Sequence, residues 1–300
     1  MNMVSPLWWT GGKATQSATI RKALPKTFTR FVEAFAGTAA MSFSLLAENR
    51  VRGHEVHLND THKQLIEFWQ QLRDHPAELV DKIYELRRRY GIGNADLFQL
   101  AQDDKLQDIN CPALRSAMFY ARNRLTVMGI QGGATNLTHP LKSKRGLLKT
   151  HIDRLSAFGH NLQGATITNH DYQDIKPVST DTLIYADSPY PKTENRNREY
   201  YGEHRFDYDE YVEWCHSLKN KCPVLISIDN LDQHIQSFQG WEIHRIPVYY
   251  HSRHQWDTEL VITNYHVPFS KIWCSDPAPK KKWEKVGNLN NNRVTHTIAA

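Results

Sequence analysis

The chain has 300 residues, 40% of them hydrophobic and 23% charged, and 37 basic against 32 acidic side chains give a net charge of +5. That is ordinary for a soluble globular protein with a real core. It excludes a membrane-spanning chain, since no apolar run approaches the ~20 residues a membrane helix needs. The four cysteines (Cys111, Cys215, Cys222, Cys274) fall at no zinc-site spacing and suggest no disulfide framework, which fits free thiols in a reducing cytoplasm. No signal-like segment opens the chain, so the expectation is a cytoplasmic protein. The mild basic excess suits a polyanionic partner.

Leu7-Trp8-Trp9-Thr10-Gly11-Gly12-Lys13 comes first, an aromatic pair, a glycine turn and a lysine. Gly11-Gly12 allows a tight turn or close backbone approach to a ligand. Phe31-Val32-Glu33 reads as a strand running into Ala34-Phe35-Ala36-Gly37-Thr38, and a helix-like segment follows from Ala39 to Asn49 with Ala40, Phe43, Leu46 and Ala47 on one face. Strand, small-residue turn and helix bring backbone donors close to a nucleotide, although any α/β protein makes such connections. Glu55 to Leu58 is a second short strand ending in Asn59-Asp60. An acid about 20 residues beyond a glycine turn is placed to bind ribose hydroxyls. A charge there tolerates a nucleoside without phosphate.

From Leu65 to about Thr150 the pattern becomes helical. Leu65, Ile66, Phe68, Trp69 and Leu72 mark one helix, Ala77 to Tyr90 a second that ends in Arg87-Arg88-Arg89, and Pro112 opens a third that runs to Arg122-Asn123-Arg124. A basic loop with Lys142, Lys144 and Arg145 follows, which suits phosphate contacts as well as a solvated surface. Strands resume at Ala165 to Thr168, Thr182 to Ala186 and Val224 to Ile228, with a helix at Asp209 to Leu218. Trp241 to Tyr249 and Glu259 to Asn264 read as paired ribbons. Beyond Pro268 the chain turns polar and reads as a poorly ordered tail.

The stretch Leu183-Ile184-Tyr185-Ala186-Asp187-Ser188-Pro189-Tyr190 concentrates the chemistry. A buried strand stops at an acid, a rigid proline and an aromatic, and ligands of open α/β sheets sit outside the carboxyl ends of strands. The Asp187 carboxylate and the Ser188 carbonyl, aimed by Pro189, can accept bonds from an amino group, and Tyr190 offers a ring face to a planar base. Asp, Ser and Pro are also common turn residues, so the octet taken alone reads first as an ordinary strand end.

Taken in order, these pieces resemble the Dam-type DNA adenine methyltransferases from about Leu7 to Tyr265. Trp9 to Lys13 is similar to that family's W-x-G-G-K, Phe31 to Thr38 to its F-V-E-P-F-x-G-x-G, and Asp187 to Tyr190 to its D-P-P-Y. Asn59-Asp60 stands where the ribose-binding acid stands, and Glu259 to Tyr265 resembles the closing E-L-L-x-x-x-Y. Ser188 replaces a proline, and Ala39 stands where a second glycine is frequent. The F-N-x-P-x-G element has no counterpart in Ala134 to Arg145, so the resemblance carries over no target sequence.

The resemblance implies an α/β, Rossmann-like S-adenosyl-methionine-dependent methyltransferase fold. A catalytic domain over 1–64 and 156–267 would carry a helical target-recognition insert over 65–155, and 268–300 would form the polar tail. The implied activity is methylation of adenine N6 in double-stranded DNA on a flipped-out base, with S-adenosyl-methionine as cofactor and no metal. Asp187, Ser188, Pro189 and Tyr190 would be catalytic. Trp9, Lys13, Phe35, Ala36, Gly37, Thr38, Asp60 and Asp187 would bind the cofactor. Arg122, Asn123, Arg124, Lys142, Lys144, Arg145 and His204 would bind DNA, with His204 and Phe206 in a loop that closes the site. The same chemistry serves cytosine N4, and a catalytically silent DNA-binding relative is the alternative from another class. A monomer is expected, with or without a cognate restriction endonuclease.

Overall fold

The computed structural model describes residues 5–8, 12–126, 146–189, 206–250, 255–268 and 285–286. Its spine is an eight-stranded sheet: β1 (Arg30–Glu33), β2 (Val56–Asn59), β3 (Thr166–Thr168), β4 (Thr182–Ala186), β5 (Val224–Asp229), β6 (Glu242–Tyr250), β7 (Gln255–Thr263) and β8 (Lys285–Val286). The spatial order is β3-β2-β1-β4-β5-β7-β6-β8. The first five strands pair in parallel, and β7 runs antiparallel to both β5 and β6. β4 and β5 are buried at every position, as expected of central parallel strands covered on both faces.

Period-two alternation divides these strands between two layers. Phe31, Leu183, Tyr185, Leu225 and Val261 join one core, to which helices α1 (Ala40–Ala47), α2 (Lys63–Asp74), α3 (Pro76–Tyr90), α4 (Pro112–Leu125) and α5 (Leu155–Asn161) contribute Phe43, Trp69, Leu79, Phe119 and Phe158. Val32, Ile184, Ile226 and Ile262 face the other way, onto Tyr211, Trp214 and Leu218 of α6 (Tyr208–Leu218). The helical span has no separate core. Phe43 of α1 lies tilted against Trp69 of α2 at 5.6 Å and edge-on against Phe158 of α5 at 4.9 Å.

The tail also differs from expectation in one place. Lys285 and Val286 lie opposite His244 and Ile243, so two of its residues extend the sheet antiparallel to β6. β6 would otherwise present an unpaired row of backbone groups at that point, which gives the pairing its physical reason. Among the described residues no helix is long and apolar enough to cross a membrane.

The chain leaves β1 outward through β2 to β3, then returns to place β4 on the other side of β1. That reversal opens a crevice at the carboxyl ends of β1 and β4. The β1–β4 pairing continues beyond β1, with Ala34 N–H donating to the Tyr185 carbonyl at 3.1 Å.

Candidate active site

The turn after β1 is tied to the end of β2. Ala36 N–H donates to the Asn59 carbonyl at 2.7 Å, Gly37 N–H to Asp60 Oδ2 at 3.0 Å, and Trp69 Nε1–H to the Gly37 carbonyl at 3.2 Å. Asp60 Oδ1 accepts His62 N–H at 3.0 Å, so this half-buried carboxylate spans the turn and the start of α2. Asn59, passed over in the sequence except as a neighbour of Asp60, joins three strand ends. Its Nδ2 donates to the carbonyls of Ala34 (3.1 Å) and His170 (3.0 Å), and its Oδ1 accepts from the Thr168 hydroxyl at 2.8 Å.

Gly37 has φ +45°, and so does the position taken by Ala39 depart from ordinary backbone, at φ +52°. Left-handed backbone costs a Cβ-bearing residue about 1–2 kcal/mol. Ala39 holds it because it is fully buried and its N–H donates to the Ala36 carbonyl. Ala39→Gly should therefore raise stability by about 0.5–1 kcal/mol in urea unfolding, the residual after glycine's greater unfolded-state entropy is subtracted. A loss would mean that packing of the Ala39 methyl outweighs the strain.

Ala39 is also the N-cap of α1 and offers no side-chain acceptor. Glu33 supplies one from β1, its Oε1 accepting the Ser42 N–H at 2.6 Å. Burial pushes the Glu33 carboxyl up to about 8, with the Ser42 bond pulling the other way and the charge of Asp187 reinforcing the rise. Glu33, read in the sequence as part of a cofactor motif, is thus the cap of the helix that follows the turn.

Asp187 leaves the end of β4 into a buried polar network. Lys13 Nζ lies 2.9 Å from its Oδ1, and Ser227 Oγ donates to the same oxygen at 2.8 Å. Ser227 in turn accepts from the Tyr185 hydroxyl at 2.7 Å, and Lys13 reaches Glu259 Oε2 at 3.6 Å. The side chains of Lys13 and Glu259 are 3% and 1% exposed, against 19% for Asp187, so only the aspartate meets the crevice. Burial alone would lower the Lys13 ammonium, but the charges of Asp187 and Glu259 outweigh it and hold it above its ordinary value. Burial raises the Asp187 carboxyl, opposed by Lys13 and by the Ser227 bond. Ser227 and Tyr185 were invisible in the sequence because each sits inside an apolar run.

Phe35 joins an aromatic cluster. Its ring lies 5.1 Å from Tyr172, 6.1 Å from Phe206 and 5.9 Å from Tyr211, a half-buried aromatic wall beside the turn. Ala36 and Thr38 are buried, as is Ser188, and Pro189 follows it directly. Trp9, Tyr190, Lys142, Lys144, Arg145 and His204 lie outside the described residues.

Arg122, Asn123 and Arg124 do not face outward. All three are buried, at 2%, 1% and 3% exposure, in a helix whose residues from Ser116 to Leu125 are buried without a break. Asn123 is bonded to the backbone of Trp8, and Arg124 lies over the Trp8 ring. The expectation of an outward DNA-contacting face at these three positions meets a protein interior instead.

A reversed seventh strand, a reordered parallel sheet, and a glycine turn and two acids at its switch point define a methyltransferase with a Rossmann-like core. The chain belongs to the D12 class N6 adenine-specific DNA methyltransferase family, whose family model matches residues 9–251. It is similar to the type II methyltransferase M1.LlaDCHI of Lactococcus lactis subsp. cremoris, with 22% identity over 277 residues that cover 86% of this chain and 94% of that protein. The protein is therefore an N6-adenine DNA methyltransferase, as the Dam-type resemblance implied.

Proposed function

We propose that the protein methylates N6 of an adenine rotated out of double-stranded DNA into the crevice at the ends of β1 and β4, with S-adenosyl-methionine as methyl donor. The donor set supports this ligand. Asp60 is tied to the glycine turn, Asp187 meets the crevice with Glu259 behind it, and Lys13 lies between those two carboxylates, a balance that suits a nucleoside carrying sulfonium and ammonium charges and disfavours a polyphosphate. In this reading Asp60 holds the ribose hydroxyls, Phe35 with Tyr172 offers a face to the adenine, and the segment Ala36 to Thr38 lies along the amino-acid part. When bound, S-adenosyl-methionine supplies an electrophilic methyl group.

The observation that carries the reading is the state of Asp187. Lys13 and Ser227 both engage Oδ1, which fixes the carboxylate at the strand end while 19% of its side chain stays exposed to the crevice. Oδ2 then accepts one N–H of the target amine and the Ser188 carbonyl the other. Those two bonds draw the nitrogen from planar toward tetrahedral and free its lone pair for in-line attack. Extrusion of the base costs a few kcal/mol, partly recovered by stacking on Tyr190. Phosphate contacts we assign to Lys142, Lys144, Arg145 and His204, measurable as the salt slope of DNA binding. We further infer a monomer; the type II name of the Lactococcus relative supports a restriction–modification role, with an orphan enzyme as the alternative.

Methylation-aware long-read sequencing of DNA from cells expressing the chain tests the function directly. Modified adenines within one short motif are expected. Modified cytosines would move the reaction to N4, and unmodified DNA alongside measurable cofactor binding would leave a binding protein.

A further inference from the structure

We propose that Asn123 and Arg124, at the carboxyl end of α4, are positioning residues that clamp the opening segment of the chain and thereby hold Lys13 on Asp187. Asn123 uses both ends of its amide on one residue: Oδ1 accepts the Trp8 N–H at 2.9 Å, and Nδ2 donates to the Trp8 carbonyl at 2.6 Å. This is the pair of bonds a neighbouring strand would exchange with Trp8. The Arg124 guanidinium covers the Trp8 ring at 5.3 Å, and its Nη2 lies 2.6 Å from His151 Nδ1. Burial and the adjacent charge of Arg124 both lower the His151 imidazole, so it stays neutral and accepts from the arginine.

The clamp itself is anchored. The Thr126 N–H donates to the Arg122 carbonyl at 2.9 Å, and Gly146 N–H donates to the Arg124 carbonyl at 3.1 Å. Arg87 of α3 donates to the Leu147 carbonyl. Four residues separate Trp8 from Lys13, so the tether between clamp and ion pair is short. With both amide ends committed and 1% exposure, Asn123 has nothing left with which to read a base edge. The charge at Arg124 is likewise spent inside the protein. The helical span that follows β2 therefore acts on the catalytic end through the backbone of Trp8.

The inference rests on Asp187 being the methylation site, and its test is separable from that reading. In the full-length wild-type protein, hydrogen exchange at the Trp8 amide should be strongly protected. Asn123→Ala should remove that protection and weaken S-adenosyl-methionine binding, measured by calorimetry without DNA, about tenfold or more, the worth of two lost hydrogen bonds. Trp8→Pro, which deletes that N–H from the opposite side, should weaken S-adenosyl-methionine binding likewise and guards against a misfolded Asn123→Ala. In kinetics the KM for the cofactor should rise while the salt slope of DNA binding stays unchanged in Asn123→Ala and in Arg124→Met. Free exchange at Trp8 in the wild type overturns the clamp. So does a salt slope reduced by about one in Arg124→Met with unaltered cofactor affinity, which would return that side chain to DNA. A wild type that methylates no DNA would sink the catalytic reading and leave the exchange and calorimetry results standing.

Discussion

Asp187→Ala is expected to reduce methyl transfer by at least on the order of 10²–10³-fold in kcat while leaving S-adenosyl-methionine binding measurable. The residue sits at the end of β4 with Oδ1 held by Lys13 and Ser227, so its geometry is fixed before substrate arrives. Removing it deletes the acceptor for one N–H of the target amine, and the nitrogen keeps its lone pair in the ring. Asp60→Ala is the contrasting variant. Its carboxylate bonds the Gly37 and His62 N–H groups at the end of β2, with β1 between it and the Asp187 strand, and its loss should mainly weaken cofactor affinity. The pair is read by calorimetry and single-turnover methylation on the same DNA. Full activity in Asp187→Ala would remove it from the reaction, and unchanged cofactor affinity in Asp60→Ala would remove that residue from the cofactor site.

Much of this site could be read from the sequence because its parts are local. An apolar run ending in Asp187, and a strand ending in Asn59-Asp60 some twenty residues past a glycine turn, each place an acid at a strand end by period-two logic alone. The misread parts are long-range. Lys13 meets Asp187 and Glu259 only after β1, β4 and β7 are assembled, and no local pattern announces that one buried ammonium serves two carboxylates. Ser227 and Tyr185 sit in apolar strands, where a hydroxyl reads as tolerated rather than used.

Arg122-Asn123-Arg124 misled for a different reason. A polar triplet at a helix end ordinarily marks the solvated face, but α4 packs against α2 and α3 and its last turn meets Trp8 of the opening segment, so Arg122, Asn123 and Arg124 are buried. The helical span likewise looked like a separable insert because no strand interrupts it. Its apolar residues nevertheless join the core of the sheet, since α2 and α5 lie directly on α1.

Lys13→Met should destabilise the fold by about 3–5 kcal/mol, because it leaves Asp187 and Glu259 buried without the cation that both address. Methionine keeps the length of the stem, so lost packing contributes little. The sign of the pH dependence separates this cause from a simple cavity. In the wild type the Lys13 ammonium is held above its ordinary value, so its contribution is complete below pH 10.5 and is lost only above it. It is therefore constant from pH 5 to 9. Without it, the folded-state pKa of Asp187, already raised by burial, rises further, and this carboxyl favours the folded state less as pH climbs above its unfolded value. The gap between wild type and Lys13→Met in urea unfolding should accordingly widen from pH 5.5 to pH 8.5, and Glu259→Gln added to the variant should close part of it. A gap independent of pH would mean that Lys13 is held by packing rather than by charge, and the network at Asp187 would lose its electrostatic rationale.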